Sequence, residues 1–357
     1  MTDTMRAAVY YSHEDVRVED RPIPEIGPGD ILLRTLASGL CGGEAMPWYK
    51  KSQPKVLGHE PVGEVVAVGA DVTEFRLGER LFVNHHVGRV RSHWSLRGHF
   101  TRDPYYSSTR LDPGALCQYY RVSAAHLAVD VHRIPGDISD AAAVTIEPWS
   151  CVIGGLKVSG IQPGDTVAVV GAGFMGQGFV HMAPLFGAGQ VIALDYSDWR
   201  LAKALELGAN HAINPGKVDA VEALRAVNGG LLADVVVAIA PVAPAWDLAG
   251  RLVEVGGTLH LGAPLPPDTP WVRDGNRAYF DEITVTSKYS SDHTDTYAYL
   301  RLLTAGRVRP EAAITHHFGI EDSAEAFRTL VNAGESLKII VYPNGRPARR
   351  AEEKSHA

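Results

Sequence analysis

The sequence predicts an α/β protein in which a doubly wound parallel sheet is inserted into a β-rich domain. Three features carry that expectation. Short β-type runs broken by Gly and Pro fill the first part of the chain, strand-like and helix-like runs alternate from about Val158, and the chain closes on a mixed segment too short to fold alone.

The elements follow in order. From Met1 to about Glu147 the runs RAAVYY, DVRVED, DILLRTLAS, GEVVAVG, RLFVNHHV and LCQYYRV are spaced as strands of an all-β unit with many turns. Next, TVAVVGAG, QVIALD, HAINP, DVVVAIA and GTLHLGA read as strands. Helical segments lie between them, at Phe174 to Gly187, Asp198 to Leu207, Val221 to Asn228 and Ala243 to Val255. This βαβ alternation builds a parallel sheet covered on both faces. After Thr286 come YAYLRLLTAGRV, EDSAEAFRTLVNAG and the strand LKIIVYP, which are expected to return to the β-rich unit. Residues 1–155 with 290–357 then form one domain and 156–289 the other. The patternless NGRPARRAEEKSHA is expected to be a frayed tail.

Composition narrows the function. A chain of 357 residues with 45% hydrophobic and 21% charged content is long enough for two cored domains and is neither fibrous nor disordered. A net charge of −7 without a long Lys/Arg run argues against nucleic acid and anionic membranes as partners. MTDTMRAAVYY lacks the basic and apolar regions of a signal peptide, and no apolar run is long enough to span a bilayer, so a cytoplasmic location is expected. Cys41, Cys117 and Cys151 are odd in number and far apart, which fits a reducing compartment rather than a disulfide framework.

The first chemical motif is a phosphate-binding turn. Thr166 to Val170 reads as a buried strand, followed by Gly171-Ala172-Gly173-Phe174-Met175-Gly176 and then by apolar Met175, Phe179 and Met182 at helical spacing. Gly171 permits the tight turn, Gly173 lets backbone approach a pyrophosphate, and Gly176 lets helix and strand pack, while the helix N-terminus offers free N–H groups to the anion. The next strand ends in Asp195, nineteen residues beyond Gly176. A carboxylate there accepts from ribose hydroxyls and repels a 2′-phosphate, which favours NAD over NADP.

The second motif is a set of metal-ligand types. Cys41 follows an apolar strand in LASGLCGGE, His59 and Glu60 sit together in VLGHEPVGEV, and Glu147 lies in TIEPWSC. Zinc accepts thiolate, imidazole and carboxylate together, and a catalytic site leaves one position for water or substrate. Taken singly, each residue also fits a plain structural use.

The ordered pattern A-x-G-x-C-G, GHE-x-x-G-x-V, EP and V-x-G-x-G-x-x-G, with GERL at Gly78 to Leu81, resembles the zinc-dependent medium-chain dehydrogenase/reductase superfamily, and within it the polyol (sorbitol-type) and threonine dehydrogenase branch. The resemblance implies a GroES-like catalytic domain with an inserted Rossmann domain. It implies one catalytic zinc on Cys41, His59 and Glu147, with Glu60 able to approach it. Phe174, Met175 and Arg200 join Gly171, Gly173, Gly176 and Asp195 as implied cofactor contacts. The implied activity is hydride transfer from an alcohol, polarised by zinc, to NAD. A homodimer or homotetramer is the expected assembly.

Two departures stand out. Where the family places Ser or Thr to start a proton relay this chain has Gly43, and Met46 replaces the usual relay histidine. Glu44 replaces the usual Asp that orients the histidine ligand. The proton is then expected to leave through water, Glu44, Glu60 or a substrate hydroxyl. The four cysteines of a structural zinc lobe are matched by Arg89, Ser92, Ser95 and Asp103, so a second zinc is not expected. Packing by Trp94, Phe100, Tyr105 and Tyr106, or a neighbouring subunit, is expected to hold that lobe. Trp48, Tyr49 and Trp149 are candidate walls of the zinc pocket, and Tyr289 a candidate neighbour of the nicotinamide.

The first expectation for function is oxidation of a secondary alcohol on a polyol, sugar or cyclitol. An epimerase or eliminating enzyme with transient oxidation, and a non-catalytic NAD-binding sensor, are the alternatives.

Overall fold

A computed structural model describes residues 4–12, 14–46, 48, 55–271 and 275–346. Tyr49 and the chain after Arg346, which includes most of the expected frayed tail, lie outside the described residues.

The first part of the chain carries β1 (Thr4–Tyr10), β2 (Val16–Pro22), β3 (Ile31–Leu40), β4 (Lys55–Val56), β5 (Glu60–Val68), β6 (Arg80–Val83), β7 (Tyr119–Val122) and β8 (Val131–Arg133). Two short helices, α1 (His93–Leu96) and α2 (Ala124–Leu127), interrupt them. β2, β1 and β4 make a three-stranded antiparallel sheet, while β3 pairs with β5 and β7, and β6 links β5 to β8. β3 shows why the sequence reads as strand: Ile31, Leu33, Thr35 and Ala37 are buried and alternate with partly exposed neighbours. From Ala37 to Leu40 every residue is buried, because a further strand described below covers the other edge.

The all-β expectation, which runs to about Glu147, fails at its end. There the chain forms α3 (Asp140–Val144) and α4 (Ile146–Ser159). Ser139 caps the first through its hydroxyl, which accepts from Ala142 N at 3.1 Å, and Gly160 ends the second in the left-handed region at φ 73°. α4 is buried on nearly every side, so it has no polar face and no periodicity to reveal it. The expected junction between 155 and 156 falls inside this helix.

The middle of the chain alternates β9 (Thr166–Val170), α5 (Phe174–Met182), β10 (Gln190–Leu194), α6 (Asp198–Glu206), β11 (His211–Ile213), α7 (Ala220–Val227), β12 (Ala233–Ala238), α8 (Ala243–Arg251), β13 (Val253–Leu261), α9 (Gly275–Phe280) and β14 (Thr284–Ser287). The six strands are parallel in the order β11-β10-β9-β12-β13-β14, so the strand order reverses beside β9. That reversal opens a crevice at the carboxyl ends of β9 and β12, the usual nucleotide position in such sheets. All five residues of β9 are buried, and each of its valines contributes about 1.5–3 kcal/mol through burial.

α10 (His293–Thr304), β15 (Ile314–Gly319), α11 (Ser323–Asn332) and β16 (Lys338–Tyr342) complete the chain. β16 lies antiparallel to β3 and parallel to β15, which extends the first large sheet. One apolar core runs through both sheets, from Val62 and Phe82 past Trp149 and Val152 of α4 to Val169 and Val191. α4 therefore fixes the two sheets relative to each other. Among the described residues no helix is long and apolar enough to cross a membrane.

Candidate active site

Strand register gathers the metal-ligand types. β3 and β5 pair with Gly39 opposite Glu60, so Cys41, just past β3, lies near His59, just before β5. β16 pairs with β3 through Ile339 and Leu40, which brings Lys338 to the same corner. The ligand atoms of Cys41, His59 and Glu60 all lie within 4.8 Å of one another. Gly39 makes room for this: a Cβ there would stand 2.0 Å from Glu60 Oε2.

Glu44 orders the cluster. Its carboxylate accepts from Cys41 N at 3.2 Å and Gly58 N at 3.0 Å, and lies 3.2 Å from His59 Nδ1. An Nδ1–H donated to Glu44 leaves Nε2 as the ligating nitrogen. Burial disfavours a charged imidazole at His59, yet the Cys41 sulfur and the Glu44 carboxylate outweigh it and raise its pKa well above the ordinary value. The corner thus attracts positive charge.

Glu60 is held by Lys338, whose Nζ lies 2.6 Å from Oε2 and also donates to Leu40 O at 3.0 Å. Glu60 Oε1 is buried and has no hydrogen-bond partner. An orphaned carboxylate oxygen beside a thiol and an imidazole nitrogen is a donor set that fits zinc. Lys338 gave no spacing signal in the sequence. Its one legible mark is a cation at the head of the apolar run LKIIVYP.

Glu147 stands in the first turn of α4, outside the converging trio. Its Oε1 is 3.5 Å from His85 Nδ1 and 3.8 Å from Cys151 Sγ. Burial pushes its pKa up to about 7, with His59 drawing it down and Glu60 adding to the rise. Trp149 does not wall this pocket. It points away from Glu147, is fully buried, stacks on Phe174 at 5.4 Å and donates from Nε1 to Phe174 O. Two residues along a helix turn a side chain to the opposite face, which is why neighbours in sequence part here. Trp48 is partly buried, and Tyr289 is half-exposed with the Arg102 guanidinium 5.6 Å over its ring.

The glycine turn sits at the strand-order reversal. Gly171 has φ 108°, and a Cβ on Gly176 would stand 1.9 Å from Gly171 O, so neither position admits a side chain. Gly173 precedes α5, whose first residues are Phe174 and Met175. Asp195 accepts from Ala172 N and Ser197 N, both at 2.8 Å, which sets its carboxylate beside the turn. Arg200 lies next to Gly173 and donates to Ala333 O at 2.6 Å. The Lys338 ammonium stands 4.3 Å over the Phe174 ring, so one residue touches both the metal-ligand corner and the nucleotide turn.

In the lobe, Arg89, Ser92, Ser95 and Asp103 meet one another. Asp103 accepts from Arg89 N at 2.8 Å and Nη2 at 2.9 Å and from Tyr105 N at 3.0 Å. Ser92 and Ser95 hydroxyls are 2.9 Å apart, and Ser95 donates to Arg89 O at 2.7 Å. A guanidinium and two neutral hydroxyls do not fit a structural zinc. Phe100 and Tyr106 pack as expected, but Trp94 and Tyr105 are exposed, so an ion pair and hydrogen bonds share the work assigned to aromatic packing. His85 and His86 leave the lobe and face His59 and Tyr106.

The fold and this corner are those of a zinc-type dehydrogenase, and the similar proteins agree. The Alcohol dehydrogenase GroES-like domain family matches residues 27–135 and the Zinc-binding dehydrogenase family matches 175–305. Sorbitol dehydrogenase of Bacillus subtilis (strain 168) is 31% identical over 95% of this chain and 98% of its own, and that of Gallus gallus is 32% identical over 94% and 95%. Among solved structures, a zinc-binding dehydrogenase from Sinorhizobium meliloti 1021 bound to NADP (26% identical, TM-score 0.85) and the alcohol dehydrogenase TADH from Thermus sp. ATN1 (26%, 0.84) each cover 95% of this chain and 99% of their own. The chain belongs to the zinc-dependent medium-chain dehydrogenase superfamily, in its sorbitol/polyol branch.

Proposed function

We propose that this enzyme oxidises a secondary alcohol of a polyol, sugar or cyclitol with NAD as hydride acceptor, using one zinc held by Cys41, His59 and the carboxylates of Glu60 and Glu147. The convergence of Cys41, His59 and Glu60 carries this reading. When bound, zinc supplies Lewis acidity toward the alcohol oxygen. Glu44 orients His59, Lys338 holds Glu60, and the Asp195 carboxylate beside the glycine turn supports NAD, since such an acid accepts ribose hydroxyls and repels a 2′-phosphate.

Contacts to Cys41, Gly58 and His59 hold the Glu44 carboxylate in place. With no side chain at Gly43, the proton leaves through water, Glu44, Glu60 or a substrate hydroxyl. The assembly we propose is a cytoplasmic homo-oligomer. It is supported by the free cysteines and by β14, an edge strand with exposed Val285 near exposed Tyr279 and Phe280.

The test is a screen of NAD and NADP reduction across sugars, cyclitols and amino alcohols, repeated after chelation, with zinc measured per chain. NADH accumulating on a polyol only in the zinc-loaded protein is the expected result. Bound nicotinamide that cycles without net NADH would replace this reading with the epimerase.

A further inference from the structure

We propose that His85 is a positioning residue for Glu147, its Nδ1 closing from 3.5 Å to donate to the carboxylate and hold it toward the metal. The inference rests on the reading of Glu147 as a ligand.

The backbone of His85 is clamped from two sides. Its neighbour Asn84 is buried and holds Asp130 through both Asn84 N (3.1 Å to the carbonyl) and Nδ2 (2.8 Å to the carboxylate). On the other side His126 Nε2 lies 3.2 Å from His85 O. Ser123 Oγ, 2.9 Å from His126 Nδ1, donates to that nitrogen and so leaves the proton on Nε2, where it serves His85. A side chain leaving so constrained a position has a defined direction.

That direction is the metal corner. The imidazole of His85 lies 4.8 Å from that of His59 between ring centroids, and its Nδ1 is 3.5 Å from Glu147 Oε1, close enough to pair with it but not yet hydrogen-bonded to it. The second histidine of the doublet is used differently: His86 Nδ1 meets Thr109 O and its ring packs on Tyr106. The trio of ligand atoms found within 4.8 Å among the described residues comprises Cys41, His59 and Glu60, so His85 acts through Glu147.

The arrangement mirrors the one at His59. There a carboxylate, Glu44, orients an imidazole ligand; here an imidazole orients a carboxylate ligand. Hydrogen-bonded partners of this kind fix ligand geometry, and their loss weakens metal binding by roughly 10–100-fold. Such a partner matters more for Glu147 than for Cys41, because a carboxylate on a rotatable stem has two oxygens and several orientations to choose from.

The experiment measures zinc affinity of the full-length enzyme by competition with a chromogenic chelator, and the visible absorption of the cobalt-substituted protein. His85→Leu is expected to weaken zinc affinity roughly 10–100-fold and to change the cobalt spectrum. His85→Asn, whose amide nitrogen falls near the position of Nδ1, is expected to restore both, and His85→Gln, whose nitrogen falls near Nε2, is not. Adding His85→Leu to Glu147→Gln is expected to cost nothing further. Should Glu147→Gln leave affinity and spectrum unchanged, the ligand reading of Glu147 fails and this inference with it. Should Glu147→Gln weaken binding while His85→Leu does not, or should the two losses multiply, the role of His85 alone is overturned. If the Leu variant does not fold, the Asn and Gln pair decides: equal affinities overturn the proposal.

Discussion

Lys338 Nζ lies 2.6 Å from Glu60 Oε2, and both side chains are sealed from solvent. Breaking such a pair by removing one partner leaves an uncompensated buried charge, at a cost of about 3–5 kcal/mol. Lys338→Met is therefore expected to lower the urea midpoint of the metal-free protein strongly. Glu60→Gln in the same chain is expected to recover much of the loss. With zinc bound, the metal compensates the Glu60 charge, so the deficit should shrink. Equal deficits with and without zinc would show that the carboxylate does not face the metal.

Glu44 accepts from two backbone N–H groups and orients His59. Glu44→Ala orphans buried donors at about 1–3 kcal/mol each and frees the imidazole. We expect a lower melting temperature together with zinc affinity reduced roughly 10–100-fold. Titration with a chelator and thermal unfolding read the two effects separately.

The lobe offers a pH test. The Arg89 guanidinium holds the Asp103 carboxyl down at about 2, against an ordinary value of 3.8. A carboxyl depressed in the folded state contributes stability that is present above pH 3.8 and is lost as pH falls through 2. Because Arg89 is mostly exposed, solvent screens part of that contribution. Asp103→Asn should flatten that part of the acid-stability curve. Metal removal should leave backbone hydrogen exchange in 89–103 unchanged, since neither Arg89 nor the two serines is a zinc ligand.

Asp195 sets the cofactor prediction. Asp195→Ser removes a charged acceptor worth about 1.5–3 kcal/mol, so KM for NAD should rise roughly 10–100-fold while KM for NADP falls. Initial rates with both cofactors decide it. If NADP is the better substrate of the unmodified enzyme, the reading of Asp195 is wrong.

Gly43→Ser restores a hydroxyl two residues past Cys41. A shift in the pH dependence of turnover is the expected outcome. An unchanged profile would mean that the proton's route bypasses this position.

Legibility differed between the two halves of the site. The glycine turn and Asp195 were readable because a strand, a turn, a helix and the next strand are contiguous, and local spacing alone places them. Cys41, His59 and Glu60 were readable as residue types, and their meeting follows from the Gly39 to Glu60 register. α3 and α4 are not legible because a helix buried on nearly all sides carries no amphipathic signal. Nearness in sequence points Trp149 to the pocket, and helix geometry overrides it.

The sequence by itself determined the fold class, the nucleotide turn and the chemistry of the metal ligands, since these depend on patterns within short stretches. Tertiary structure alone decided that Lys338 clamps Glu60, that His85 faces Glu147 and that Arg89 closes on Asp103. The first contact joins opposite ends of the chain within one sheet, the second joins the segment after β6 to helix α4, and the third depends on how a loop folds back. Pairing register and the path of a loop are set by the packing of the whole core, and no local spacing encodes them.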